Sequence, residues 1–243
     1  MDTYLYTLLL AALPAIGNFS GGIIAELVPV SKRTLSVALH AAAGIIFAVV
    51  GIELIPRSIE NANPLLIMSA FVAGGGLFIL MDKTIHIIEA RMDSDAVQAG
   101  QWSIFFAVSV DLFTDGVMVG AGNTVSFELA LLLALGQVSA DIPEGFATIA
   151  NFKSGNIARK IRLMISAGFV VPVFLGATTG YWAVRGAPDI YKYLLLALTA
   201  GILLTAAVEE MLVEAHEAED TPMMSMALVS GFALFAVITK WIG

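Results

Sequence analysis

Two short segments carry the residues able to do chemistry. "SVDLFTDGVMVGAG" (residues 109–122) holds Asp111 and Asp115, and "GQVSADIPEGFATI" (residues 136–149) holds Asp141 and Glu144. No Lys, Arg or His lies in either segment. On a helix, residues three or four apart share a face, so each segment presents a vertical pair of carboxylates. Both segments are apolar enough to lie in lipid, where one mid-bilayer Asp costs about 2.5–3.5 kcal/mol and marks an ion or substrate path by default. Four such acids brought together repel one another and cannot all ionise without a compensating cation. Two states relieve them: protonation, or a bound divalent metal, which carboxylate oxygens suit well. A single buried acid is as readily a packed, hydrogen-bonded residue; two spaced pairs on adjacent segments are much harder to explain that way.

The elements that must position these acids are membrane helices. The chain has 243 residues, is 58% hydrophobic and only 13% charged, and its mean hydropathy is +0.89. Eight stretches reach the roughly 20 apolar residues that a span requires: 4–28, 34–55, 64–82, 103–124, 128–151, 162–184, 190–211 and 222–242. Charge or proline punctuates the gaps, as at Lys32-Arg33, Pro56-Arg57, Pro188 and Pro222. The expected fold is therefore all-α: one polytopic membrane domain over residues 1–243, with the first apolar run retained as a helix, not cleaved as a signal. The third span holds Gly74-Gly75-Gly76, which suits close helix contact more than lipid exposure. A net charge of −8 argues against nucleic acid, and the absence of cysteine excludes thiolate sites.

Basic residues orient the bundle. Eight of the twelve lie around the odd-to-even connections: Lys32, Arg33, Lys83, Arg91, Lys153, Arg159, Lys160 and Arg162. That side is expected to face the cytoplasm, placing both termini outside. The short "NTVSFE" link (123–128) makes the fourth and fifth spans antiparallel neighbours, so their acid pairs can meet at one depth. Pro143 removes a helical N–H and frees the Ser139 carbonyl, a further oxygen on the acid side.

"DLFTDG" and "ADIPEG" resemble the fourth- and fifth-helix signatures of the ZIP (Zrt-, Irt-like) metal permeases. The resemblance extends to "GIELIPRSIE" closing the second span, "KSGNIARK" after the fifth and "AAVEEMLVEA" closing the seventh. It implies a ZIP-like bundle that carries out metal transport as ion uptake, zinc first, with manganese, iron and cadmium as further cargo. It also implies a homodimer, elevator-like movement of spans one, four, five and six against two, three, seven and eight, and the plasma (inner) membrane of a prokaryote. Asp115, Asp141 and Glu144 match family metal-binding acids, and Asp111 stands where the family has His. Leu112, Ala140 and Val173 replace its Asn, its His or Gln, and a sixth-helix Glu. One oxygen-only metal position is thus expected in place of two adjacent ones, a donor set that also suits harder ions. Glu209 and Glu210 match acids of the inner exit route, with His216 beside them; a solvated helix end explains them equally well.

Smaller expectations accompany these. Glu53 pairs with Arg57 at the outer interface, His40 is interfacial, and Glu26 reaches inner-side water. Asn18 and Ser20 polarise the packing face of the first span, and His86 alone remains in a loop that is His-rich in the family. The rival readings are a proton-linked carrier or metal sensor on the same fold, and an intramembrane metal-dependent or aspartyl hydrolase. The chain is not expected to be an enzyme, because neither Gly-x-Gly-Asp nor His-Glu-x-x-His occurs. No organic cofactor is expected.

Overall fold

The computed structural model describes residues 3–29, 31–91, 96–216 and 221–242, with backbone alone at 85, 86, 88–91 and 96–103. It is 92% helical, with no strand among the described residues. Eight helices are long and apolar enough to cross a membrane: α1 (Thr3–Leu27), α2 (Lys32–Asn61), α3 (Pro64–Thr84), α4 (Ile104–Val125), α5 (Phe127–Ser154), α6 (Arg159–Val184), α7 (Asp189–Ala215) and α8 (Pro222–Ile242). Each coincides with an expected span. Large apolar side chains face outward on the peripheral helices, Leu65 at 79% and Val72 at 70% exposed. In water such a surface would be an aggregation site; in lipid it is the matching solvent.

Helix α2 outruns its expected end. Pro56-Arg57 does not terminate it; the chain passes through a π-helical turn, Val49–Leu54, and continues to Asn61. The physical reason is proline itself, which lacks the N–H that would bond one turn back. The wider turn absorbs the defect, and the Ile55 N–H reaches five residues back to the Val50 carbonyl. A second π turn, Ala207–Met211, interrupts α7, with the Leu212 N–H bonded to the Ala207 carbonyl.

The closest pairings are α1 with α5, α4 with α6, α2 with α8, and α3 with α7. Small residues make them close. In α3, a Cβ at Gly74 would lie 2.0 Å from the Leu198 carbonyl oxygen of α7. Gly76, by contrast, faces open space, and only 17% of the α3 window is buried. The glycine run therefore serves one seam, and most of α3 faces lipid. Between these pairs lies one continuous apolar core, including Leu10, Val49, Leu112, Met118, Leu133, Leu196 and Phe235.

The hairpin of α4 and α5 positions the acids. Ser126 is the only residue between the two helices; its extended backbone (φ −156°, ψ 156°) reverses the chain and its Oγ accepts the Leu129 N–H at 3.1 Å, capping α5. So short a turn leaves the helices no choice but to lie side by side and antiparallel.

Candidate metal centre

Counting from Ser126 sets the depth of each acid. Asp111 lies 15 residues before it and Asp141 15 residues after it. At a rise of 1.5 Å per residue both are roughly 22 Å from the turn. Asp115 falls about one turn nearer Ser126, and Glu144 nearly one turn further away. Carboxylate oxygens of Asp111, Asp141 and Glu144 come within 4.8 Å of one another. Asp115 is outside that set; it faces Asp141 from one turn deeper. The sequence-derived quartet is thus a triad with a fourth acid behind it.

Burial sharpens the picture. Asp115 and Asp141 are 0% and 1% exposed. Both oxygens of Asp115, one of Asp141 (Oδ2) and one of Glu144 (Oε2) are buried and receive no N–H or hydroxyl donor among the described residues; Asp115 and Asp141 face each other closely enough for their carboxyls to share a proton. Buried carboxylate oxygens are ordinarily paired, because an unpaired one loses its hydration without return. Leu112 and Val173 are fully buried and Ala140 is 3% exposed, so these three positions near the acids are packed apolar residues. A Cβ at Gly116 would sit 2.1 Å from the Val173 carbonyl oxygen, so α4 and α6 meet there backbone to backbone.

Two of the triad, Asp111 and Glu144, line a cavity of about 360 Å³, and Asp141 lies behind them. Asp111, Glu144 and Thr148 line it near the triad, and Asp82, Glu209, Glu210 and Glu214 line it beyond. Six of the lining residues are acids and none is Lys, Arg or His. The lining residues lie in the halves of α2, α3, α4 and α5 that lead to the basic connections, and in the second half of α7 on the same side. The cavity therefore runs from mid-bundle toward the Lys- and Arg-rich side. On the opposite side Leu10, Met118, Leu132 and Leu133, each at most 6% exposed, fill the space.

Glu209 and Glu210 share this cavity for a local reason. Neighbours in a regular helix diverge by about 100° and do not face together. Both belong to the π turn of α7, whose extra residue per turn alters that spacing, and both line one wall. His216 does not join them. It packs edge-on against His40, with ring centroids 4.9 Å apart, beside a separate pocket. His40 is 4% exposed and packs against that ring.

Other expectations resolve individually. Arg57 Nε lies 2.6 Å from Glu53 Oε2, the expected pair. Glu26 does not reach water: its carboxylate takes Arg162 from α6 on both oxygens, and Arg159 stands 3.4 Å away. Lys153 Nζ donates to the Ala25 carbonyl at 3.2 Å, tying the same corner together. Asn18 is buried on the α1 face against α5, its amide unpartnered among the described residues, while the Ser20 hydroxyl returns to the Gly17 carbonyl. The side chain of His86 lies outside the described residues. Sequence reasoning missed Asp82 and Glu214 as cavity residues; the only signal was an acid near a helix end, which is commonplace.

A scan of protein-family models found no match to this chain, and a search of curated proteins found none either. Fold and site chemistry therefore rest on the residues themselves.

Proposed function

We propose that this protein carries divalent metal cations across a membrane, with the ion held by Asp111, Asp141 and Glu144 and with Asp115 behind them. The observation that carries the reading is a cluster of buried carboxylates, with oxygens that receive no N–H or hydroxyl donor, two members of which (Asp111 and Glu144) open onto a cavity lined by acids and no bases. A structural role would supply donors to those oxygens; a cation supplies positive charge, and only while it is bound. Oxygen-only coordination accepts zinc, manganese, iron and cadmium, with zinc placed first by the ZIP resemblance of "DLFTDG" and "ADIPEG". Glu209 and Glu210 then form the inner route along the cavity, and His216 stands off it.

The same resemblance assigns inward transport, both termini outside, the inner membrane of a prokaryote, a homodimer and an elevator-like motion. Within the bundle α1, α4, α5 and α6 contact one another and α2 pairs with α8 and α3 with α7, while α4–α7 and α2–α5 contacts join the two groups.

The test is metal uptake into proteoliposomes loaded with a metal-sensitive dye. Asp115→Asn and Glu144→Gln each reduce initial uptake of Zn²⁺ and Mn²⁺ at least tenfold while the protein elutes as a single species. Uptake equal to the parent in either variant refutes the proposal.

A further inference from the structure

The two described imidazoles are not at the acid cluster and have come together elsewhere. His40 lies in the first half of α2 and His216 at the end of α7, 176 residues apart in sequence. Their rings meet at 61°, with centroids 4.9 Å apart.

Each ring is held by the same device. His40 Nδ1 lies 2.8 Å from the Ser36 carbonyl oxygen, and His216 Nδ1 contacts the Leu212 carbonyl oxygen. A carbonyl only accepts, so each Nδ1 carries the hydrogen. The lone pair of each neutral ring is thereby placed on Nε2. Metal-binding histidines are oriented in this way, with one ring nitrogen donating to a backbone carbonyl and the other facing the ion. The spacing agrees as well. Two imidazoles bound at about 2.0–2.1 Å to one tetrahedral ion have ring centroids about 5 Å apart.

Beside the rings is a pocket of about 330 Å³, lined by Thr221, Pro222, Met224 and Ser225 as well as the two histidines. Thr221 Oγ1 is buried there with no hydrogen-bond partner among the described residues. We propose that His40 and His216 form a second metal site, which takes a borderline divalent ion such as Zn²⁺ through both Nε2 atoms. The Thr221 hydroxyl and water complete the coordination. The site differs in kind from the acid cluster, since nitrogen donors favour Zn²⁺, Ni²⁺ and Cu²⁺ over Mn²⁺ and Mg²⁺ more strongly than carboxylates do.

Position suggests its use. Leu39 precedes His40 and Glu214 lies two residues before His216, and both line the acidic cavity. An ion bound by the histidines would fasten α2 to the end of α7 beside that cavity. On the transport reading it senses metal at the inner mouth; the coordination itself does not depend on that reading.

The test is calorimetric titration of the purified, tag-free protein in detergent with Zn²⁺ alone, then with Mn²⁺ alone. The parent shows a Zn²⁺ component that Mn²⁺ does not reproduce. His216→Gln, which alters an exposed ring, weakens that component at least tenfold, and His40→Gln does the same. Asp115→Asn, which perturbs only the acid cluster, leaves it within twofold. A His216→Gln titration superimposable on the parent, a parent lacking such a component, or its loss in Asp115→Asn overturns the proposal. Failure of transport with this component intact would refute the transport reading alone.

Discussion

Gly145 follows the acid pair of α5 and is one of the points where α1 packs closely on that helix. A Cβ placed on it would lie 2.0 Å from the Asn18 carbonyl oxygen and 2.7 Å from the carbonyl carbon. Ordinary carbon-to-oxygen contact is about 3.3 Å, so Gly145→Ala requires α1 and α5 to separate locally by about 1 Å. The obstacle is backbone inside a helix, which no rotamer change can move. Overpacking of this kind costs about 1–3 kcal/mol. For a chain of this length each kcal/mol shifts the melting temperature by about 2–4 °C, so a fall of about 2–12 °C is expected. Gly76→Ala supplies the control, because nothing lies within 4 Å of its Cβ position and the substitution removes only backbone freedom. The assay is fluorescence-detected thermal unfolding of both variants in one detergent. Gly145→Ala melting within 1 °C of the parent, or Gly76→Ala falling as far as Gly145→Ala, would refute the packing argument.

Further expectations follow from the charges. Glu26→Gln removes the partner of Arg162, whose side chain is only 10% exposed. It should destabilise by about 3 kcal/mol, read as a lower melting temperature, and Glu26→Gln with Arg162→Met should recover part of the loss. Metal binding at the acid triad requires deprotonated oxygens, so protons compete with the ion. The rise in melting temperature produced by saturating Mn²⁺ is therefore expected to shrink as pH falls from 7.5 to 5.5; a rise unaffected by pH counts against carboxylate coordination.

The parts of the structure that the sequence disclosed are those set by local pattern. Span length follows from hydrophobic run length, and the facing of Asp111 with Asp115 and of Asp141 with Glu144 follows from helical periodicity. The meeting of the two pairs follows from the brevity of the link at Ser126. What escaped depends on contacts distant in sequence. Glu26 reads as a helix-end acid until α6 brings Arg162 to it. His40 reads as interfacial, and only the folded chain packs His216 from the end of α7 against it. The π turns left no pattern of their own: Pro56 was a punctuation mark in the sequence, and in the fold it is the residue that Val49–Leu54 accommodates. Asp82 entered the cavity for the same reason, because α3 and α7 had to be packed before its direction had meaning.

The one-residue turn at Ser126 makes the α4–α5 hairpin a ruler with no slack. Losing or gaining a single residue in either arm, anywhere between Asp111 and Asp141, would swing one carboxylate by about 100° and slide it by about 1.5 Å. No loop is present to absorb that error. Side chains along both arms can therefore vary while the thirty-residue interval stays fixed, so the acid cluster can change by exchange of residue types but not by change of length.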